Sequence, residues 1–375
     1  KKYGIENKKY NYINFISNTI EVKMKIICIC KKTDPRCLDG IATFERILGK
    51  IFKDDIKFYV YNTDREYIFD CDNIVNIEET NSIIKKILLK ILGKTRYTSF
   101  RVKRENPDIV IINKPKDLRM LKGGKFKKIL IQHNSLEWYK NDVFKVVKNR
   151  KIIQKELDYY VFLSDESKKT FLNFLKLDKN KGITIRHSCE MEILDKIKLK
   201  NRKLIIISRL ENTQKRIDLA IKAMKKLPDF ILDIYGTGPD EEILKQMVID
   251  EKLEERVFFK GATNKVKEKL DEAGIFIMTS DYEGYGITNI EAMMRGLPII
   301  LRNTFESAPD IVQNNGILLD KEWDEDKYVE AVYKIYQNYD YYSKNAIEMG
   351  KRHTFETIKN KWLNFIKEVI EDNKK

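Results

Sequence analysis

Two glutamates, Glu283 and Glu291, stand on either side of a glycine-rich turn at 284–286. The apolar residues before the turn, 275–280, are typical of a buried parallel strand, and residues 288–294 are typical of a helix. Ligands of open α/β sheets bind at the carboxyl ends of the strands. The backbone N–H groups at the start of a helix favour anions there. The spacing therefore predicts an anion-binding turn flanked by two carboxylates.

The backbone N–H groups of Gly286, Ile287 and Thr288 are the ones that this arrangement turns towards a ligand. Glu291 can reach back over the same point because it lies about one turn into the helix. An anion site with two added carboxylates suits a ligand that carries phosphates at one end and hydroxyl groups at the other. A nucleotide sugar is such a ligand.

The whole segment 283–298, EGYGITNIEAMMRGLP, resembles the E-x7-E signature of retaining glycosyltransferases of family 4, which reads roughly EGFGLxxxEAxAxGxP. Both glutamates, both turn glycines, the EA pair and the closing G-x-P are present. The resemblance implies that Glu291 holds the ribose hydroxyls of a nucleotide-sugar donor. It also implies that Glu283 holds hydroxyls of the donor sugar and acts in catalysis. An ordinary strand–turn–helix with surface glutamates is the alternative.

Two cations, Arg209 and Lys215, follow the predicted strand 204–208. The pair resembles the R-x5-K pattern of the same family. This implies that the two side chains, with the amides of residues 286–288, hold the donor diphosphate. Fixed cations and helix-end N–H groups stabilise the charge that a leaving diphosphate gains, without a metal. Arg216 stands where the family often has glycine. Two solvated surface cations are the alternative.

The first half of the chain offers Gly40 and His133. Gly40 stands where the family has a glycine-rich turn, so the resemblance implies that its backbone approaches the diphosphate. Asp39 replaces the first glycine of that turn, and a plain helix N-terminus is the alternative. The family carries a histidine close to the transferred sugar at the place of His133, which implies a catalytic contact. His187 receives no role, and His353 is predicted to lie on the surface.

Two further glycines follow strands of the second half, Gly236 in IYGTGPDEE and Gly261 in FFKGATNK. Each is a weak turn signal on its own. In the resembling family this region flanks the nucleotide, which implies that both glycines can approach the base or the ribose.

Short apolar runs alternate with amphipathic stretches along the chain, which predicts parallel βαβ units. Strands are predicted at 24–30, 56–62, 108–113, 128–133, 159–164 and 183–188, and in a second series at 204–208, 230–236, 256–261, 275–280, 298–303 and 316–320. Helices are predicted at 41–52, 81–104, 215–227, 240–252, 264–273, 288–294, 324–337 and 354–375.

The sequence therefore predicts an α/β protein of two Rossmann-like, doubly wound domains, because 375 residues are too many for one ordinary core. The resemblance implies that the domains face an interdomain cleft, the GT-B arrangement. The predicted parts are an N-terminal extension (1–23), an N-terminal acceptor domain (24–190) and a C-terminal donor domain (191–353). The final helix, 354–375, is predicted to pack back on the first domain.

The chain is basic, with a net charge of +15, and residues 1–200 carry the whole positive excess. A basic half suggests contact with a polyanion, either anionic lipid or nucleic acid, although a lysine-rich genome composition explains part of it. No helix-turn-helix, zinc knuckle or RNP-like strand is present, so nucleic acid is not expected. Five cysteines without C-x2-C spacing predict reduced thiols and neither a zinc site nor a disulfide framework.

The predicted helix 81–104 carries isoleucines and leucines between lysines at helical spacing. Two interpretations stay open. In the first, the helix packs on the core and its lysines are solvated. In the second, it lies on an anionic membrane surface. No apolar run reaches the length needed to span a bilayer.

Together these features predict a hexosyltransferase that moves sugar with retention from a nucleotide sugar, above all a UDP-sugar, to a cell-envelope glycan or lipid-linked acceptor. Lipopolysaccharide, capsule and teichoic acid are such acceptors. The resemblance implies that no metal or other cofactor is required, and that the enzyme is cytoplasmic and peripheral on the inner face of the membrane. Two alternatives stay open: a nucleotide-sugar epimerase of the same fold, and a non-catalytic or polyanion-binding partner protein.

Overall fold

The computed structural model describes residues 24–37, 39–133, 135–136 and 143–372. The predicted N-terminal extension, 1–23, lies outside the described residues, and so do the last three residues of the predicted final helix. Two separate parallel β-sheets, one in each half of the chain, organise the described residues.

The first sheet has seven parallel strands in the described part of the chain. They are β1 (Ile26–Cys30), β2 (Ile56–Val60), β3 (Ile74–Asn76), β4 (Ile109–Ile112), β5 (Lys127–Ile131), β6 (Tyr159–Phe162) and β7 (Gly182–Thr184). Their order is β3-β2-β1-β4-β5-β6-β7. The order reverses between β1 and β4, and ligands of open sheets bind at the carboxyl ends of strands at such a point.

The second sheet has six parallel strands. They are β8 (Lys203–Ile207), β9 (Ile231–Tyr235), β10 (Val257–Phe259), β11 (Ile275–Met278), β12 (Ile299–Arg302) and β13 (Gly316–Leu319). Their order is β10-β9-β8-β11-β12-β13, so this sheet reverses between β8 and β11.

Helices connect the strands of both sheets. They are α1 (Gly40–Phe52), α2 (Ile83–Glu105), α3 (Val143–Glu156), α4 (Asp165–Leu175), α5 (Asn212–Lys215), α6 (Ile217–Ala223), α7 (Glu241–Asp250), α8 (Val266–Glu272), α9 (Ile287–Met294), α10 (Ala308–Ile311), α11 (Glu325–Gln337), α12 (Tyr339–Gly350) and α13 (Phe355–Asp372). Short 3-10 turns lie at Lys53–Asp55, Pro115–Leu121, Lys179–Lys181, Met224–Lys226 and Lys351–His353.

Helices cover both faces of the sheets, so the central strands are apolar and buried along their whole length. Every residue of β1, β4 and β11 is buried. One face of the first sheet packs under α1 and α13, and the other packs under α2 and α4. None of the described helices combines the length and the apolar character that crossing a membrane requires.

The last helix, α13, packs on the first sheet although it follows the second sheet in the chain. Trp362 is fully buried, and its ring meets the rings of Phe44 and Phe52 of α1 at 6.0 and 6.3 Å between centroids. Cys189 and Thr354 pair as an isolated parallel bridge where the chain passes between the two sheets.

Polar contacts join the two halves beside this crossover. Arg186, which follows β7, donates to both carboxylate oxygens of Asp310 in α10 at 2.8 and 2.6 Å. Ser307 Oγ donates to Ser164 Oγ at 3.1 Å. These contacts help to hold the carboxyl edge of the first sheet towards that of the second.

The structure differs from the predicted elements in several places, and helices α10 and α12, for example, have no predicted counterpart. Ile74–Asn76 forms the edge strand β3, and so short a run between polar residues gives no periodic signal. The predicted helix 215–227 begins earlier, at Asn212, and is interrupted at Arg216, whose φ of 48° is left-handed. Helix α2 is bent at Gly93, where φ is 70°.

Candidate active site

A cleft of about 730 Å³ opens between the two sheets. Its walls are residues that closely follow strands: Lys32 after β1, Lys114 after β4 and His133 after β5, then Ser208 after β8 and Tyr282 after β11. The ligand-binding edges of both sheets therefore meet in one space. Eight of the predicted site residues line it, namely Gly40, His133, Arg209, Lys215, Glu283, Gly286, Ile287 and Thr288.

Two loops of the second domain form one wall, and hydrogen bonds hold them to each other. The backbone N–H of Asp281 donates to the carbonyl of Gln214 at 2.8 Å, and the side chain of Gln214 donates to the carbonyl of Tyr282 at 3.0 Å. Thr279 Oγ1 donates to the carbonyl of Lys215 at 3.0 Å. The loop after β11 is thereby fixed against the short helix α5.

The side chains of Lys215 and Glu283 form an ion pair in this wall. Lys215 Nζ lies 2.5 Å from Glu283 Oε1, and Ser280 Oγ donates to the same oxygen at 2.9 Å. The two charged side chains are only 14% and 10% exposed. Water screens a largely buried pair less than an exposed one, so its members interact more strongly. The pair holds one cation and one carboxylate in fixed places beside the start of α9.

Arg209 lies at the edge of the same wall and is exposed to solvent. Its guanidinium lies 2.8 Å from a carboxylate oxygen of Glu211 and donates to Gln214 at 3.2 Å. An exposed guanidinium can turn towards an anion at little cost in desolvation. Arg216, which the sequence left outside the diphosphate set, is held by Asp218 and Asp281 and does not line the cleft.

The start of α9 faces the cleft. Gly286 has a φ of 79°, and a Cβ there would lie 2.5 Å from Nδ2 of Asn289, so this position requires glycine. Ile287 and Thr288, the first two residues of the helix, line the cleft. The first N–H groups of a helix have no partner in a preceding turn, so they suit an anion at this end.

Gly40 begins α1 on the opposite wall. Asp39 caps this helix by accepting from the N–H of Ala42 at 2.8 Å, and its other carboxylate oxygen pairs with Arg65. A Cβ on Gly40 would lie 3.8 Å from Cδ1 of Ile287, so α1 and α9 approach each other across the cleft. A contact between Gly40 and a diphosphate stays a prediction.

Glu291 lies one turn into α9 and is not among the residues that line the cleft. It is half-buried, and burial raises the pKa of its carboxyl to about 7. A carboxylate in such a place gains from hydrogen-bond donors, because they replace the water that burial removed. Its contact with ribose hydroxyls stays a prediction.

Gly236 and Gly261 do not line the cleft either. The N–H of Gly236 donates to the carbonyl of Gly261 at 2.8 Å. Gly236 has a φ of 132°, and a Cβ there would lie 1.8 Å from the carbonyl oxygen of Ser208. Position 236 therefore needs glycine, because the end of β9 lies close to the loop after β8. Ser208 of that loop lines the cleft. The predicted contact of both glycines with base or ribose stays a prediction.

His133 stands on the first-domain wall. Its ring meets that of Phe44 edge-on at 5.1 Å and stacks with that of His187 at 6.0 Å between centroids. Its Nε2 lies 3.0 Å from Oδ1 of Asn113. Burial, together with His187 and Lys114, lowers the pKa of His133 well below its usual range. The ring is therefore neutral near pH 7, and a catalytic contact of His133 with the transferred sugar stays a prediction.

The prediction that His353 lies on the surface is wrong. The residue is 1% exposed, and its Nδ1 lies 2.9 Å from the carbonyl oxygen of His187. The hydroxyl of Tyr285 lies 3.2 Å from His353 Nε2 and 3.3 Å from Asp310 Oδ2. The residue is buried because the crossover between the two sheets folds it inwards. The turn between the two glutamates is thus tied to the junction of the domains.

Several cleft residues received no role from the sequence, among them Lys32, Thr33, Arg65, Lys114, His187 and Gln214. Lys32 and Lys114 could have been found, because each closely follows a strand at the switch point of the first sheet. His187 could not, because it follows the last strand of its sheet and only the crossover brings it beside His133. Burial, with a smaller contribution from His353, lowers the pKa of His187 to about 3.

Positive charge predominates in the cleft. Lysines and arginines at 32, 65, 114, 209 and 215 outnumber carboxylates at 39, 211 and 283. Each of these carboxylates pairs with one of the cations. Burial first, and then the charges of Lys32 and Lys116, lower the pKa of Lys114. An anionic ligand relieves such repulsion, so the cleft suits phosphate groups.

Among the described residues, Cys28, Cys30 and Glu45 bring two sulfurs and one carboxylate oxygen within 4.8 Å of one another. They lie in the core and do not line the cleft. Burial raises the pKa of Cys30 well above its usual range, which favours the thiol, whereas metals bind the thiolate. That the cleft works without a metal stays a prediction.

Comparison with known proteins shows that the second half of the chain is similar to glycosyltransferases. Residues 192–353 match the family model of glycosyl transferases group 1. The poly(glycerol-phosphate) alpha-glucosyltransferase of Bacillus subtilis is 29% identical over 178 residues, which are 45% of this chain and 26% of that protein. The poly(ribitol-phosphate) alpha-N-acetylglucosaminyltransferase of Staphylococcus aureus is 31% identical over 167 residues, 42% of this chain and 34% of that protein. The chain thus spans between 26% and 34% of the length of these relatives.

Solved structures resemble almost the whole chain. Alr3699/HepE of Anabaena in complex with UDP-glucose has a TM-score of 0.74 at 14% identity, over 92% of this chain and 100% of that chain. This likeness concerns the fold. Together with the two parallel sheets, it confirms the predicted fold class, in which two Rossmann-like domains face a cleft in the GT-B arrangement.

Proposed function

We propose that the chain is a retaining hexosyltransferase whose donor is a nucleotide sugar, a proposal that the match of residues 192–353 to the family model of glycosyl transferases group 1 supports. The observation that carries the proposal is the wall made by Lys215, Glu283 and the start of α9 at the ends of β8 and β11. This wall surrounds one space with a cation, a carboxylate and helix N–H groups. A diphosphate and the hydroxyls of a sugar match those three kinds of group.

The second domain holds the donor in this proposal. Arg209, Lys215 and the N–H groups of residues 286–288 bind the diphosphate. Glu291 binds the ribose hydroxyls, and Glu283 binds hydroxyls of the sugar. We assign a UDP-sugar, because HepE, which has the same fold, holds UDP-glucose.

Transfer takes place on the face of the sugar from which the diphosphate leaves. The bond between C1 and the diphosphate oxygen breaks, and its electron pair goes to that oxygen. The acceptor hydroxyl oxygen bonds to C1, and its proton passes to the leaving phosphate. The transition state resembles an oxocarbenium ion, as in glycoside hydrolysis. The cations and helix N–H groups stabilise the charge on the leaving group, so this proposal requires no metal.

The first domain meets the sugar and the acceptor. His133, a neutral ring with a lowered pKa, contacts the transferred sugar by hydrogen bonding. Lys32 and Lys114 add positive charge on this side. By their names, two relatives act on poly(glycerol-phosphate) and poly(ribitol-phosphate), which are polyanions. We therefore propose a cell-envelope glycan as the acceptor, with phosphate-bearing and lipid-linked glycans as the leading classes.

The surface of α2 supports an anionic membrane as a second partner. Ile83, Ile84, Ile87 and Ile91 are 74%, 71%, 51% and 72% exposed. Leucines at 88, 89 and 92 of the same helix pack against the core. Core packing therefore describes one face of α2, and the proposed membrane contact concerns the opposite face. Exposed lysines at 85, 86 and 90 border the isoleucines. An apolar face with a basic rim suits the boundary between acyl chains and anionic head groups.

Calorimetric titration with UDP, GDP, ADP and their common sugars, with and without EDTA, tests the donor assignment. We expect metal-independent binding of UDP and of one UDP-sugar, and loss of binding in Lys215→Ala. Lys225→Ala, which removes an exposed lysine of the same domain outside the cleft, should bind as the wild type does. Binding that EDTA abolishes contradicts metal independence. Absence of nucleotide binding by folded protein contradicts the transferase proposal.

The anomeric configuration of the product tests retention. An α-linked product from an α-linked donor is expected, and an inverted linkage contradicts the proposed stereochemistry. Conversion of the donor sugar without any acceptor favours an epimerase instead.

A further inference from the structure

Glu45 is a buried carboxyl to which the proposed transfer gives no role. It lies on α1, behind the first-domain wall of the cleft, and is fully buried. Its Oε1 accepts hydrogen bonds from Thr33 Oγ1 at 2.6 Å and from Asn113 Nδ2 at 2.7 Å. Its Oε2 is buried and accepts no hydrogen bond from an N–H or O–H group of the described residues, and the Cys30 thiol lies beside this carboxyl. Burying a carboxyl costs free energy, so its presence at this position suggests a role beyond packing.

A chain of hydrogen bonds leads from this carboxyl to His133. Nδ2 of Asn113 donates to Glu45, and Oδ1 of the same amide lies 3.0 Å from His133 Nε2. An amide oxygen accepts and cannot donate. His133 must therefore carry its proton on Nε2 whenever Asn113 keeps this orientation, and Nδ1 then remains the acceptor of the ring.

The Glu45 carboxyl fixes the orientation of the Asn113 amide both when it is protonated and when it is ionised. Burial raises the pKa of Glu45 to about 8, so near neutral pH it is largely protonated. A proton on Oε2 leaves Oε1 an acceptor for Thr33 and Asn113, as it is in the ionised form. The direction of the amide is thus independent of the charge on Glu45.

Packing fixes the ring as well as its proton. The ring of His133 lies against the edge of Phe44 and is stacked with His187, so it has little freedom to turn. Thr33 and His133 both line the cleft, so the hydrogen-bonded chain begins and ends at the cleft wall with Glu45 behind it.

We propose that Asn113 and Glu45 are positioning residues that hold His133 as the Nε2–H tautomer. Nδ1 of His133 then accepts a hydrogen bond from a hydroxyl of the transferred sugar. The sugar contact rests on the proposed transferase function, whereas the tautomer does not.

Nitrogen-15 NMR of the histidine side chains tests the tautomer without any substrate. In the wild type we expect His133 Nδ1 to resonate as an unprotonated nitrogen and Nε2 as a protonated one, with the signals assigned by their loss in His133→Gln. Glu45→Gln keeps an acceptor oxygen for Asn113 and should keep this pattern. Asn113→Leu removes both amide contacts and should give a mixture of tautomers or the Nδ1–H form. A wild-type Nδ1–H pattern, or an unchanged pattern in Asn113→Leu, overturns the inference.

Kinetics then test the sugar contact. Asn113→Leu should lower kcat by about tenfold, the effect of one misdirected hydrogen bond, and leave the affinity for UDP unchanged, because the side chains and helix N–H groups proposed to hold UDP lie on the other domain and Gly40 contributes only its backbone. Asn76→Leu, which breaks an amide–amide bond of the same sheet outside the cleft, should change neither the tautomer nor kcat. An unchanged kcat in Asn113→Leu overturns the sugar contact. If no sugar transfer is found at all, the proposed function fails and the NMR result still decides the tautomer.

Discussion

Lys215 and Glu283 are bonded to each other, with Nζ 2.5 Å from Oε1, although the proposed reaction gives them different parts of the donor. In this proposal the cation binds the diphosphate and the carboxylate binds the sugar. Each side chain therefore fixes the position of the other. The ion pair also fixes the distance between the group proposed to bind the diphosphate and the group proposed to bind the sugar.

We expect the two residues to be energetically coupled. Lys215→Ala leaves Glu283 largely buried without its cation, and Glu283→Ala does the reverse, so each should lower the free energy of unfolding. The double substitution should cost less than the sum of the single ones by about 1 kcal/mol or more. A double-mutant cycle in urea measures this coupling.

The exposed pair Lys327–Asp320, at 2.7 Å, is the control for this cycle and should couple by less than about 1 kcal/mol. Strictly additive losses at residues 215 and 283 would show that their contact contributes nothing.

The sequence singled out both members of this pair through the R-x5-K and E-x7-E resemblances, and each was predicted in a segment that follows a strand. Apolar runs predicted β8 and β11, and the parallel α/β pattern predicted that their carboxyl ends face one crevice. In the structure the two strands are neighbours in the sheet. The direct bond between the side chains could not be foreseen, because it depends on hydrogen bonds that draw Gln214 and Tyr282 together.

Donor binding should strengthen as pH rises through about 7. Burial raises the pKa of Glu291 to about 7, and ribose hydroxyls donate more strongly to a carboxylate than to a neutral carboxyl. Below that pH, binding must first release the proton, so affinity for the UDP-sugar should fall by up to about tenfold per pH unit. His187 and His353 do not interfere, because burial holds their pKa values at about 3 and about 4.

Calorimetry of the UDP-sugar at about pH 6, 7 and 8 measures this dependence, and Glu291→Gln is the matched variant. Glu291→Gln should bind more weakly than the wild type at high pH and lose the rise. A wild-type affinity that stays flat across this range argues against the contact with ribose.

Glu45→Gln should stabilise the fold most at high pH. Burial raises the pKa of Glu45 from about 4.5 to about 8, so the folded state binds a proton that the unfolded state has released. The stability that this proton provides is complete below about pH 4.5 and is lost as pH rises through about 8. Glutamine has no charge to bury. The difference in free energy of unfolding between Glu45→Gln and the wild type should therefore grow between pH 5 and pH 9. It should exceed about 1.4 kcal/mol at the upper end.

Melting temperatures of the two proteins at several pH values measure this difference. Glu348→Gln, at an exposed ion pair, is the control and should show no such growth. A constant difference between wild type and Glu45→Gln would mean that Glu45 is ionised in the folded protein at neutral pH.

Buried polar groups were the part of the site that the sequence did not reveal. Glu45 lies between Phe44 and Ile47 on α1, where helical periodicity alone gives no reason to expect full burial of a carboxylate. Its burial depends on Thr33 and Asn113, which approach it from other parts of the chain. Such groups can be identified only when the packing is known.

The link between the domains should depend on one buried ion pair. Arg186 is 7% exposed, Asp310 is 10% exposed, and they are 2.6 Å apart. Asp310→Asn leaves the buried guanidinium of Arg186 with only the exposed carboxylate of Asp165, 3.0 Å away, as a charge partner, and should lower the free energy of unfolding by up to about 3 kcal/mol. Glu190→Gln breaks the exposed Lys50–Glu190 pair near the same crossover and should cost less than about 1 kcal/mol. Denaturation in urea compares them, and equal losses would exclude a special role for Asp310.

The exposed isoleucines of α2 should bind anionic membranes. Burying one such side chain in lipid contributes about 1.5–3 kcal/mol, so Ile84→Asp with Ile91→Asp should weaken binding by well over tenfold. Replacing lysines 85, 86 and 90 with glutamine should remove the preference for anionic lipid, because each contributes about 1 kcal/mol near a charged surface. Sedimentation with phosphatidylglycerol and phosphatidylcholine vesicles measures both effects.

The second domain offers a matched control for this experiment. Ile243 is 66% exposed on α7, outside the isoleucine face of α2, so Ile243→Asp should leave vesicle binding unchanged. Loss of binding in Ile243→Asp as well would mean that general apolar exposure drives association. Failure of the wild type to sediment with either vesicle would mean that the α2 face meets something other than lipid. Binding that ignores the aspartates but follows the lysines would mean that charge attracts the protein and the isoleucines do not enter the bilayer.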